Sequence, residues 1–447
     1  MRFPVGPTES RIDRLRFNIR GAIRGVRTTL LGALSFSIAI SIAISVAISV
    51  AISACSHAPA PSAAKLSSVP WDSVVARARG TTVTWLMWRG DPSINRYVDD
   101  WVAPRLKREY GITLNPVDAQ GPSILNQLAV EREARSGTST GTADLVWING
   151  ETFYNLKKSG LLYGPWSGRL PNAQYVDSAS VIISRDFGQL PAGYESPWGT
   201  VQFALIYDTV RTPNPPRNVA ELGAWIRAHP GRFTYDQSFT GVTFMKVLMY
   251  ALAGGVEHFQ GPFDEAKYRE GSGKVWQWLA GVRPYLWRHG QTYPDGVADL
   301  HRLFANGEID FSMSDNQNDV VTKARQGILP ATARPLLLED GTIANTHYLG
   351  IAFTAPNPAG AMVVANFLLS PAAQFEKQKP DVWADGTVLA MSRLPRAWAA
   401  QFRALVADPH ALTRDSLTKY ARPEIAPRYS ERLQRDWRAR IRAAPQE

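Results

Sequence analysis

From Thr82 onward the chain alternates between two rhythms of hydrophobic and polar positions. Thr82-Val83-Thr84-Trp85-Leu86-Met87-Trp88 is an apolar run of strand length, followed by the turn Arg89-Gly90-Asp91-Pro92. Asp91 ahead of Pro92 marks a helix start, and Ile94 to Tyr110 carries helical periodicity with an interruption near Pro104. Ile112 to Val117 reads as a second strand and Ser123 to Arg135 as a second helix. Asp144 to Ile148 is a third strand that ends at Asn149-Gly150. Three strand–helix units with short turns predict an α/β fold with a mostly parallel sheet and helices on both faces.

Gly160 to Tyr194 has no periodicity and reads as a long irregular stretch. Val201 to Asp208 is an extended apolar run that can cross between two domains, and Pro213, Pro215 and Pro216 separate it from the next helix. Helices are expected at about 219–228, 242–252, 264–282 and 297–304. Ile309 to Ser314 is another strand, Thr346 to Phe353 is extended, and Pro358 to Gln378 is helical throughout.

The N-terminus has neither rhythm. Arg2, Arg11, Arg14, Arg16, Arg20, Arg24 and Arg27 precede an uncharged run from Thr28 to Ala54, the layout of an export signal over residues 1–54. Ile52-Ser53-Ala54-Cys55 resembles a bacterial lipobox, and Cys55 is the only cysteine of the chain, so a lipid-bearing role is expected for it. Residues 55–80 then form a tether, small and Pro-rich at first (Ser56 to Ala64). The competing reading is a retained membrane helix, with Ser37, Ser41, Ser45, Ser49 and Ser53 along one face. Either way the remainder lies outside the cytoplasm, in the periplasm or on the outer face of the cell membrane.

Length and charge sharpen this picture. A chain of 447 residues suits two domains, and 45% hydrophobic and 10% aromatic residues are globular values. The formal net charge of +10 halves once residues 1–55, with seven Arg and two acids, are set aside. The remaining basic residues form no stripe, which argues against nucleic acid as a partner.

Several local runs carry a resemblance. Trp147-Ile148-Asn149-Gly150-Glu151 leads into Phe153-Tyr154-Asn155-Leu156-Lys157-Lys158-Ser159-Gly160-Leu161-Leu162-Tyr163-Gly164-Pro165-Trp166. Pro197-Trp198-Gly199-Thr200-Val201-Gln202-Phe203, His229 to Tyr235, Phe239-Thr240-Gly241 and Ala365 to Gln374 come later in the chain. Together they resemble the bacterial extracellular solute-binding proteins of ABC transporters, in the YnjB-type branch related to thiamine- and iron-binding periplasmic proteins, over residues of about 80–435. The resemblance implies a periplasmic-binding-protein-like fold of type II, two lobes with a hinge. Lobe one would span 81–202 plus 309–353, and lobe two 203–308 plus 354–447. It also implies a monomer without a cofactor that delivers a small solute, such as a thiamine-like cation or a phosphate-bearing compound, to an ABC permease.

In open α/β sheets ligands bind beyond the carboxyl ends of the strands and at helix starts. That rule selects Trp88 and Arg89 after the first strand, and Asn149 and Glu151 after the third. It also selects Ser314, Asp315 and Asn316 after the strand from Ile309, and the helix start Thr240-Gly241, where a hydroxyl and N–H groups could hold an anion. Trp198 and Gln202 precede the first crossing, and His347 and Tyr348 lie on the return. Aromatics, amides and two acids suit a small cation or heteroaromatic compound, while Arg89 and the helix start suit an oxyanion.

Enzyme chemistry finds no support. There is no Gly-x-Ser-x-Gly elbow, P-loop or His-Glu-x-x-His. Ser416-Leu417-Thr418-Lys419 and Ser314-Asp315-Asn316 match two motifs of penicillin-recognising enzymes, but in reversed order and without the third. The seven histidines are isolated, and no adjacent tyrosine pair of the kind iron-binding relatives use is present, so no metal site is expected. The alternative to transport is an envelope-anchored protein of the same fold with an interaction or sensing role.

Overall fold

The computed structural model of the chain describes residues 66, 68–134, 141–405 and 410–442. The export segment, Cys55 and the first part of the expected tether lie outside the described residues. The described strands are β1 (Thr82–Met87), β2 (Thr113–Asp118), β3 (Leu145–Ile148), β4 (Glu195–Gln202), β5 (Ala204–Asp208), β6 (Phe311–Ser314), β7 (Ala333–Leu336), β8 (Thr342–Ile351) and β9 (Ala421–Arg422). They form two sheets, one in the order β2-β1-β3-β8-β4 with β9 beside β8, the other β6-β5-β7.

The first sheet is mixed rather than mostly parallel. β1 runs parallel to β2 and β3, whereas β8 is antiparallel to both β3 and β4. The reason is the return path: β8 re-enters the sheet from the opposite end to the strand–helix units. Val146, Trp85 and Leu349 are fully buried because helices cover the sheet. These include α1 (Trp71–Ala78), α2 (Gly121–Glu133), α3 (Gly150–Lys158), and two helices from the far end of the chain. The second sheet is antiparallel throughout and packs against the helix Val297–Ala305 and α6 (Asp319–Arg325), with α4 (Phe239–Leu252) in the same core and α5 (Glu265–Val282) packed on α4.

Two cores result. Trp85, Val146, Trp198, Leu349 and Val363 belong to the first, and Phe203, Phe244, Phe311, Met313 and Trp437 to the second. This partition corrects the expected boundaries. Residues 309–341 build the second lobe, since β6 and β7 flank β5, and residues 354–405 return to the first. The expected boundaries make β6 the return strand; a four-residue apolar strand carries no mark of which sheet it joins. The return is β8, which starts with Ile343 in the second core and ends with Ile351 in the first.

The two crossings lie side by side. The run Val201–Asp208 is two strands, β4 and β5, parted by Phe203, whose N–H donates to Ile343 O at 2.8 Å. Local departures from expectation have equally local causes. The tether predicted to reach residue 80 stops short, because Trp71, Val74, Val75 and Ala78 share a helical face and bury Val74 and Ala78. The interruption near Pro104 is a π-helical turn at Tyr97–Val102; Pro104 has no N–H for the carbonyl four residues back. Pro358–Gln378 splits into α7 (Pro358–Leu368) and α8 (Pro371–Gln378), with Ser370 capping the second by accepting from Ala373 N–H. The described residues end on α9 (Pro427–Arg442). Among the described residues no helix is long and apolar enough to cross a membrane.

Candidate functional site

Helix α4 lies in the second core and touches the crossing strand β8. Residues 240–250 are all buried, and one of them, Lys246, is charged and 0% exposed. Its start is already occupied. Asp236 accepts from the N–H groups of Gly241 (2.8 Å) and Ser238 (2.9 Å), and a Cβ at Gly241 would fall 1.8 Å from the Asp236 carbonyl oxygen. The Thr240 hydroxyl donates to Asp315 Oδ2 at 2.6 Å. The free N–H groups expected to seat an anion are thus answered by the chain's own carboxylate. Asp315 Oδ1 is buried without a partner, and burial pushes this carboxyl up to about 6 despite the Thr240 hydrogen bond.

Lys246 pairs with Glu424, just ahead of α9, and its Nζ lies 4.7 Å from the ring of Phe187 and 5.0 Å from that of Phe239. Phe187 comes from the first lobe. Its φ of 46° is in the left-handed region, costly for a side chain that is neither Gly nor Asn. Its ring lies against Gly150 at the start of α3, where a Cβ would meet it at 2.0 Å and φ is itself +33°. Gly150 is glycine because both the turn and the ring require it.

Around this contact the carboxylates outnumber their partners. Asp186 (1% exposed) and Glu195 (1%) are left to hydrogen-bond each other through a shared proton, with the Gly150 N–H as the one further donor to Asp186, and Glu424 (3%) keeps Oε2 unpaired. Burial raises Asp186 to about 8, helped by the Glu424 charge and opposed by the Gly150 N–H and Lys246. Burial also raises Glu195, with Asp186 beside it, and Glu424, against the pull of Lys246. A cavity of about 400 Å³ opens here, lined by Asp186, Phe187, Gln260, Asn345, Thr346 and Glu424 among others.

The remaining predicted residues divide into groups. Glu151, in the first turn of α3, is raised by burial and by Glu431, and lowered by Lys246 and Arg438, so it faces the same region. Asn149 opens α3 without its side chain capping it. Trp88 is half-buried and covers Gly90, and Arg89 forks onto Asp99 (3.1 and 2.5 Å) while its N–H donates to Asp118 (3.0 Å). Ser314 and Asn316 shape the turn into α6: Ser314 donates to Asp319 (3.0 Å) and Asn316 Oδ1 accepts from Asn318 N–H (2.9 Å). Gln202 sits at the crossing, its N–H donating to Gln317 at 2.7 Å and its side-chain amide 3.0 Å from Thr342 Oγ1.

Trp198 and His347 lie in an aromatic cluster of the first core. Trp198 meets Trp147 edge-on at 4.8 Å, and His347 stacks on Trp383 at 6.0 Å and pairs with Asp385. Tyr348 is fully buried on the opposite side of β8 and donates to Ile183 O at 2.8 Å. The structure therefore joins Thr240, Gly241 and Asp315 at one end of α4, sets Glu151 near Lys246, and keeps Trp198, His347 and Tyr348 in packed surroundings. Asp186, Phe187, Lys246 and Glu424 are absent from the residues that sequence reasoning selects. Only Lys246 leaves a signal, as the one charge in Val242 to Leu252. Among the described residues no group of three His, Cys, Asp or Glu is placed to hold a metal ion.

The lobes also meet on the α6 flank. Lys323 bridges Asp91 of the first lobe (2.6 Å) and Asp319 of its own (2.7 Å), and Gln326 donates to Ser93 at 3.1 Å. Asn318 and Thr322 donate to the carbonyls of Ala384 and Pro380, each at 3.0 Å.

Comparisons with known proteins agree with this geometry. Residues 101–401 match the model of the family described as bacterial extracellular solute-binding protein. The chain is 35% identical over 353 residues to the protein YnjB of Escherichia coli (strain K12), covering 76% of this chain and 90% of the relative. Among solved structures, a putative spermidine/putrescine ABC transporter from Listeria monocytogenes matches with a TM-score of 0.56 at 14% identity, over 80% of this chain and 98% of that one. The periplasmic binding protein AfuA from Actinobacillus pleuropneumoniae gives 0.58 at 14% identity over 81% and 99%. Iron-bound HitA from Pseudomonas aeruginosa gives 0.53 at 14% identity over 80% and 99%. At these identities the structures establish the type II periplasmic-binding-protein fold, and the family match and the curated relative establish the rest: the chain belongs to the bacterial extracellular solute-binding proteins, the extracytoplasmic binding components of ABC importers.

Proposed function

We propose that this protein captures a small solute between its two lobes, closes on it by bending at the paired crossings near 202–204 and 342–344, and passes it to an ABC permease. A lipid on Cys55 holds it at the outer face of the membrane as a monomer, and no bond is made or broken in the process. The observation that carries this reading is the pairing of two separate cores, linked by adjacent crossings, with a cavity lined by Asp186 and Phe187 from one side and Gln260 and Glu424 from the other. Adjacent crossings let a few backbone torsions swing one lobe against the other. A solute that touches both lobes shifts the population toward the closed form by its differential contact with the two states.

The test combines calorimetric titration of the full chain in detergent with small-angle scattering. Saturable binding should raise the melting temperature, by the equivalent of about 2.7 kcal/mol at a hundredfold excess over Kd, with a smaller radius of gyration and no change in the solute. Turnover of the solute would reject the reading, as would binding without any contraction from an open ligand-free form.

A further inference from the structure

The solute is selected by those polar groups on the cavity wall that have nothing else to hold. The acids are already committed. Glu424 gives one oxygen to Lys246, and its other oxygen is sealed from solvent. Asp186 shares a proton with Glu195, and burial raises both acids, so the pair is largely uncharged at neutral pH. The Thr346 hydroxyl donates to Ile182 O at 2.8 Å, and the Gln260 amide donates to Tyr250 Oη and Glu424 O, each at 2.9 Å.

Two lining groups remain unspent. Asn345, on β8, is 7% exposed, and its side-chain amide makes no hydrogen bond among the described residues. Its polar atoms open onto the cavity instead of being sealed in the packing. Arg185 is exposed and is the one base among the described residues that line the cavity. Its Nη1 donates to Gly188 O at 3.2 Å, while Nε and Nη2 have no partner among the described residues. That free edge is the one with which Arg232 holds both oxygens of Asp310. A buried amide without a partner marks a missing one. A guanidinium edge forks onto a carboxylate or a phosphate.

We propose that this cavity is the subsite for an oxyanion, a carboxylate or phosphate group of the solute held by the guanidinium of Arg185 and the side-chain amide of Asn345. The inference rests on the capture reading above. Arg185 belongs to the first lobe, Gln260 to the second and Asn345 to the strand that joins them. An anion held by Arg185 and Asn345, whose solute also donates a hydroxyl or N–H to Gln260 Oε1, therefore favours the closed form. An ammonium group is disfavoured, because it would meet the Arg185 charge, a protonated Asp186 and a Glu424 already spent on Lys246. The Thr240-Gly241 helix start is closed by Asp236, so the anion site lies on the crossing strand instead. A volume of about 400 Å³ is at the small end of the range of roughly 300–1,000 Å³ for ligand pockets, which suits a compact solute.

The experiment is calorimetry on the full chain in detergent with inorganic phosphate, glucose 6-phosphate and citrate, against glucose, choline and putrescine. The expected result is saturable binding of at least one anion, weakened about tenfold or more by Arg185→Gln and less by Asn345→Ala. Phosphate compounds without citrate, or citrate without them, would name which oxyanion the site takes. Arg185→Lys should restore part of the affinity, and added salt should weaken binding more in the wild type than in Arg185→Gln. A packing defect mimics neither readout, and melting curves check that the variants fold. Binding confined to glucose, choline or putrescine overturns the anion assignment and leaves capture standing. Anion binding indifferent to Arg185→Gln and to salt overturns it as well. No binding by any of the six to folded protein overturns both readings.

Discussion

Lys377 and Lys246 are both sealed from solvent at 0% exposure, yet their electrical surroundings are opposite. Lys377 Nζ donates to Asp385 Oδ2 at 2.7 Å, and the other oxygen of Asp385 takes His347 Nε2 at 3.2 Å. One cation meets one carboxylate, each oxygen is answered, and Trp147, Trp198 and Trp383 pack around them. Burial lowers Lys377, and Asp385 opposes the shift. Lys246 meets Glu424 by one oxygen only, and Asp186 and Glu195 crowd in with little beyond each other and the Gly150 N–H to answer them. The two sites separate a fully answered buried ion pair from a partly answered one. A saturated ion pair holds β8 to α8; beside the cavity the acids outnumber the buried cation, and burial raises them instead.

The largest effect that could break this comparison is on stability. Lys377→Met leaves Asp385 buried with half its partners gone, and should cost about 3–5 kcal/mol, read from the urea midpoint. Asp186→Asn removes a charge that the fold already disfavours, so the ligand-free protein should keep or gain stability at pH 7.5. If Asp186→Asn destabilised as strongly as Lys377→Met, both clusters would be scaffold and the distinction would collapse.

Next in size is the response to pH. Folded Asp186 titrates at about 8, above its unfolded value of roughly 4, and Glu195 and Glu424 are raised likewise. A raised acid favours folding fully below its unfolded value, and that contribution is lost as pH climbs through the window to the folded one. The ligand-free protein should therefore melt at progressively lower temperature from pH 5 to 8, by roughly 1.4 kcal/mol per pH unit for each proton involved. Asp186→Asn should flatten the slope, whereas a variant in the Lys377 cluster should not. A flat wild-type profile would mean that these acids are solvated in the empty protein.

The same contrast explains what the sequence reveals. Helix 219–228 is legible to the residue, and β1 to β3 nearly so, because each has a regular rhythm and a turn at its end. Sheet membership is not legible: β6 is four buried residues long and fits either sheet equally well. At the site, Thr240, Gly241 and Asp315 emerge from the rule about strand ends and helix starts. Asp186 and Phe187 do not, since they lie in a stretch without periodicity and acquire their neighbours only when it folds back on Gly150. Lys246 is visible in principle, as a charge inside a helix apolar on all sides.

Gly150→Ala probes the unsaturated side more gently. The added methyl would strike the Phe187 ring, and the backbone there is left-handed, so a loss of about 1–3 kcal/mol is expected. Combining it with Phe187→Ala should recover part of the loss, because the clash disappears while the backbone strain stays. Additive losses would show that the ring does not rest on this turn.

The smallest effect expected is at Lys323, which shares features of both clusters. It is paired on two sides, as Lys377 is, but one partner, Asp91, belongs to the opposite lobe. In Lys323→Gln, Asp319 retains Ser314 Oγ at 3.0 Å and His301 Nε2 at 3.3 Å, while Asp91 retains Ser93 N–H at 2.7 Å. Neither acid is stranded, so folding stability should fall by only about 1–2 kcal/mol, the worth of the lost charge-assisted hydrogen bonds. The contact that is lost forms only when the lobes are together. Solute affinity should therefore drop several-fold, by the free energy withdrawn from the closed state, and the ligand-free scattering profile should expand. Added salt should produce part of the same expansion in the wild type, since the pair is only partly shielded at 11–13% exposure. An unchanged profile with unchanged affinity would place Lys323 with Lys377 as scaffold, and closure would then depend on the Asn318 and Thr322 contacts or on the solute alone.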